Sequence, residues 1–79
     1  QALAQNADDH QARFDLALVL WAGGAQEAAA DHLLEIVRRD RSWQDDGARK
    51  QLVKFFEIAG LMDPFTIKMR KKLSSLLFV

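Results

Sequence analysis

Apolar residues recur at spacings of three and four from about residue 9 to the end of the chain, and nothing resembles the period-two alternation of a half-buried strand. Four helices follow from this pattern. The first is predicted from about Asp9 to Ala22 and opens on a capping box, in which Asp8 accepts a backbone N–H while Gln11 reaches back to the cap. Ala12, Phe14, Leu16, Ala17, Leu18, Val19, Leu20 and Trp21 wrap most of its circumference, so neighbours are expected on more than one side. Gly23-Gly24 supply the left-handed conformation that ends it. The second, about Gln26 to Arg39, places Ala29, Ala30, Leu33, Leu34, Ile36 and Val37 on one broad face, with Arg38 and Arg39 at the negative end of its dipole. Asp40 to Asp46 reads as a connection in which Asp45 or Asp46 caps a third helix, about Gly47 to Ala59, whose buried stripe is Leu52, Val53, Phe55, Phe56 and Ala59. Gly60 closes it. Asp63-Pro64 then starts a fourth helix, an N-cap followed by proline where no N–H is needed, and Phe65, Met69, Leu73, Leu76 and Leu77 form its buried side.

Four such helices with short connections make an all-α fold of two antiparallel helix hairpins. Gly24 and Gly60 lie 36 residues apart, close to the 34-residue tetratricopeptide period, which predicts a right-handed helical array. With Gly24 as the turn glycine, Leu16, Ala17, Leu20 and Ala29 fall on the repeat's packing positions, and alanine at a helix crossing lets two backbones approach. Arg41 replaces the usual closing proline and Arg13 the usual first-helix tryptophan, so the repeat is degenerate. The expected organisation is one domain over residues 1–79. Residues 1–7 form the tail of a preceding, truncated helix, 8–41 the first hairpin and 42–79 the second, which reads as a capping repeat because Phe65 stands where a small residue is expected.

Composition narrows the chemistry. At 79 residues the chain is a single small domain, too small for a large catalytic cleft. It has no cysteine, which excludes a disulfide framework, a thiolate zinc site and thiol redox chemistry within these residues. Its apolar runs are too short to span a bilayer and Gln1 to Gln5 lack the features of a secretion signal, so a cytoplasmic setting is the default; the start at Gln reads as that of a fragment. The formal net charge is zero, yet residues 1–40 carry seven acids against three bases and residues 41–79 carry eight bases against four acids. That asymmetry either steers a partner or head-to-tail association, or is screened within one compact domain; mixed charge on helix surfaces favours screening.

Candidate sites are few. His10 and His32 have no Ser or Cys nucleophile beside them and read as surface or boundary histidines, so neither catalysis nor a cofactor or metal is expected. Lys68, Arg70, Lys71 and Lys72 interleave with core residues and lack an aromatic stacking platform, so a solvated helix face is favoured over a nucleic-acid site. The repeat register points instead to a concave groove lined by the first helix of each hairpin. Gln11 would line it, Phe14, Leu18 and Trp21 would supply an apolar strip, and Lys50 and Lys54 a basic strip beside it, suited to a hydrophobic segment or a peptide carboxylate. The same apolar strip would equally suit packing against a missing upstream repeat or a second subunit. Phe78 and Val79 either dock a partner or cover the last hairpin.

Four segments carry a family resemblance: Asn6-Ala-Asp-Asp-His-Gln-Ala-Arg-Phe-Asp-Leu-Ala-Leu18, Leu33-Leu-Glu-Ile-Val-Arg-Arg-Asp40, Ala48-Arg-Lys-Gln-Leu52 and Arg70-Lys-Lys-Leu-Ser-Ser-Leu-Leu-Phe78. Together they resemble the C-terminal tetratricopeptide-like region of the bacterial thioredoxin-like co-chaperones, the chaperedoxins. Ala7 departs from that family's usual Asn-Pro, and Ala25 from its usual Asp after the turn glycine. The resemblance implies an upstream thioredoxin fold, helical repeats that hold unfolded or damaged client polypeptides, and cooperation with a chaperonin. It assigns no redox residue to this chain. The alternative reading is a structural module for self-association or for docking the thioredoxin fold, without clients of its own.

Overall fold

Helices α1 (His10–Ala22), α2 (Gln26–Arg39), α3 (Trp43–Ala59) and α4 (Pro64–Leu77) follow one another in a computed structural model that describes residues 9–78. Among the described residues there is no strand, and the all-α helical array expected from the periodicity is what forms. The preceding-repeat tail at residues 1–7, the cap at Asp8 and the terminal Val79 lie outside the described residues.

The start of α1 is capped by Asp9, whose Oδ1 accepts the Ala12 N–H at 3.0 Å. Gln11 Nε2 donates to Asp15 Oδ1 at 2.9 Å, one turn further along, and the capping-box partner Asp8 lies outside the described residues. The turn after α1 needs Gly24, which sits at φ 90°, where a side chain would be strained. Helix α2 occupies the expected span and is the centre of the domain. All six residues of its broad apolar face are buried, and it packs against each of the other three helices.

Helix α3 departs most from expectation, because it begins at Trp43, four residues before Gly47. Gln44, Asp45 and Asp46 have φ of 52°, 57° and 63°, a short left-handed turn, and the right-handed part starts at Gly47 as the periodicity indicates. Asp45 and Asp46 are therefore not the caps. In this conformation Asp45 Oδ2 lies 3.4 Å from Lys50 Nζ and Asp46 Oδ2 lies 3.6 Å from an Arg49 Nη, so each carboxylate meets a cation further along the helix. Gly47 suits the turn, since a Cβ there would lie 3.0 Å from Gln44 Cβ. Val53 also departs from its expected burial and is 38% exposed. It stands about 200° round the helix from Phe55, away from the core.

Helix α4 starts as its sequence signal indicates, with Asp63 Oδ1 accepting the Phe65 N–H at 2.9 Å and Pro64 in the first turn. Phe65, Met69 and Leu73 are buried, while Leu76 and Leu77 are half-buried and packed on the same core. Asp63→Ala is expected to remove about 1 kcal/mol of stability, read as a lower urea midpoint at unchanged slope. Charge also resolves here. Lys68 Nζ meets Glu27 Oε1 at 2.7 Å and Lys72 Nζ meets Asp31 Oδ1 at 3.4 Å, so the basic fourth helix lies on the acidic face of α2. The two halves screen each other. These pairs are open to solvent on both sides, so they set register more than stability.

Candidate functional site

Helix α1 meets α3 through aromatic rings. Trp21 stacks on Phe55 with centroids 3.9 Å apart and planes 2° from parallel, and it also meets Phe65 of α4, tilted, at 5.6 Å. At the other end Phe14 tilts against Trp43 at 5.4 Å, and the His10 ring meets the edge of the same indole at 6.2 Å. Offset and tilted ring pairs of this kind add to the apolar area they bury. The expected strip of Phe14, Leu18 and Trp21 is consequently not continuous. Phe14 and Trp21 are half-buried in these contacts, whereas Leu18, the residue between them, is 39% exposed. The large rings turn toward α3 because Phe55 and Trp43 offer them apolar partners, which Leu18 lacks.

On α3 the polar strip is open. Lys50 is exposed and paired with Asp45, and Lys54 is exposed with no ion pair among the described residues. Ile58 follows Lys54 by four residues on the same face and is 69% exposed. Sequence reasoning omitted Ile58. The signal was present, since it lies outside the stripe of Leu52, Phe55, Phe56 and Ala59, and an isoleucine there has no reason to be buried. Trp43 was also missed as part of the wall, because a residue read as loop is not asked which ring it faces. Gln11 is exposed beside Asp15, and Phe78 is exposed at the far end of α4, away from α1. Beside the half-buried aromatic rings that join α1 to α3, the exposed groups are Leu18 on α1 and Lys54 and Ile58 on α3.

The α2/α4 side carries a cleft of about 460 Å³ floored by Leu34 and Leu76. Its charged groups already satisfy one another, with Lys72 on Asp31 and with Arg38 and Arg39 on Glu35. The Arg38 hydrogen bond, joined by that of Arg39, holds the Glu35 carboxyl down to about 2. Among the described residues no three His, Cys, Asp or Glu side chains converge to hold a metal, and no helix is long and apolar enough to cross a membrane. The arrangement offers contact surface.

Compared with known proteins, the chain matches a family model described as tetratricopeptide repeat over residues 1–78. No curated protein and no solved structure gives a match.

Proposed function

Since the chain belongs to the tetratricopeptide repeat family, we propose that its α1/α3 face holds partner polypeptides, and that it serves this role within a thioredoxin-like co-chaperone. The family is a non-catalytic module that mediates protein–protein interaction in general. What supports the specific reading is that Leu18 of α1 and Ile58 of α3 are exposed apolar residues, and that Lys54, one turn before Ile58, has no ion pair among the described residues. Such a surface accepts an extended apolar segment and one carboxylate. The segments Asn6 to Leu18 and Arg70 to Phe78, which resemble the chaperedoxins, support the client-binding context and a chaperonin as collaborator.

Leu18 and Ile58 are the residues to change, because Phe14 and Trp21 also hold the core. The double variant Leu18→Glu, Ile58→Glu is expected to keep the helical circular-dichroism spectrum and to bind a fluorescent, permanently unfolded polypeptide about tenfold more weakly, or about 1.4 kcal/mol. Unchanged affinity in the folded variant would overturn the groove. Leu61 and Met62, 59% and 83% exposed in the α3–α4 turn, favour self-association as a second reading. Light scattering on the same variant and on Met62→Glu separates the two, since self-association through the turn responds to Met62 alone.

A further inference from the structure

We propose that Arg13 and His32 form an acid-released latch that fastens α1 to α2. Arg13 lies on α1 and His32 on α2, and Arg13 Nη1 stands 3.2 Å from His32 Nδ1 in a partly buried contact. A guanidinium only donates, so the ring nitrogen facing it must accept, which places the neutral ring's proton on Nε2. Acid puts a proton on Nδ1. The acceptor is then lost, and an imidazolium N–H confronts an arginine N–H at hydrogen-bonding range.

The surroundings do not rescue the charged ring. Arg13 acts on it from α1, and Asp31 and Glu35 from its own helix. Asp31 is held by Lys72 of α4, and Glu35 by Arg38 and Arg39. Burial, then Arg13, keep the His32 ring below the ordinary histidine range despite both carboxylates. The direction of the pH effect follows from linkage. An unfolded chain takes up the proton near pH 6.5 and the folded chain only at lower pH, so the latch contributes in full above about pH 6.5 and is lost as pH falls toward the lowered folded value.

Helix α1 is the element such a loss would free. Among the described residues α1 contributes one buried residue, Ala17, against six from α2 and four each from α3 and α4, so a lost contact with α2 weighs most on α1. The latch concerns the docking of α1 itself and stands whether or not the α1/α3 face binds a polypeptide.

Amide hydrogen exchange at pH 7.5 and 5.5, corrected for intrinsic rates, tests it on the whole chain. The expected result is a loss of protection confined to α1 and unmatched in α3 and α4. His32→Gln keeps an oxygen that can accept from Arg13 but does not titrate, and should make α1 protection flat across this range. His10→Gln, which removes the chain's other histidine and lies on α1, should leave the wild-type response in place. A second measurement follows the His32 ring by NMR, where Arg13→Gln is expected to raise its titration midpoint. A pH response that survives His32→Gln, equal loss in all helices, or a midpoint unmoved by Arg13→Gln would each overturn the latch.

Discussion

Trp21→Ala is expected to destabilise the domain by about 3 kcal/mol, at the lower end of the range for truncating a large aromatic because the indole is only half-buried. Two contacts are lost together. The parallel stack on Phe55 joins α1 to α3, and the tilted contact with Phe65 joins α1 to α4. Phe55 is 2% exposed, so removing the indole opens the largest fully buried side chain near the surface of the core to water. A double-mutant cycle with Phe55→Ala should return a coupling of about 1 kcal/mol beyond the area buried. Urea unfolding followed by circular dichroism measures both, and a single-variant loss below about 1 kcal/mol would refute the stack as a main fastening of α1. Small domains have about 5 kcal/mol in all, so a client-binding defect in a Trp21 variant would report unfolding before it reported a binding surface.

The second large effect comes from adding volume. Ala17 on α1 and Ala29 on α2 are both completely buried, which is what the repeat register requires of residues where helix backbones come close. Leucine at either position would add volume inside a fully buried site, and each substitution is expected to cost about 2–3 kcal/mol through displaced helices or strained rotamers. Ala28→Leu, one residue away but exposed, should be close to neutral. Thermal unfolding of the three variants checks the contrast, and an Ala17→Leu or Ala29→Leu domain as stable as the parent would mean that the backbones do not approach there.

Legibility in the sequence followed the range of the interaction. The limits of α2 and the start of α4 were readable because local chemistry sets them: a glycine turn before α2, and an aspartate cap with proline before α4. The buried faces of α2 and α4 were readable from period alone. The left-handed turn at Gln44 to Asp46 was not, since nothing in those side chains demands positive φ and the turn forms where Trp43 packs against Phe14 and His10. The candidate site divides along the same line. That Leu18, Lys50 and Lys54 face outward follows from helical spacing on one element. That Phe14 and Trp21 face inward depends on which rings α3 sets opposite them, a fact about two helices that neither helix states.

The central place of α2 alters what counts as the smallest piece able to fold. Its six buried residues belong to a core completed by α1, α3 and α4, and the ion pairs from Glu27 and Asp31 reach α4 across 41 residues of chain. Cutting the connection at Asp40 to Ser42 would yield two hairpins, each with bare apolar surface where the other had been. The repeat is thus the unit of sequence description, whereas the buried core is shared by both hairpins.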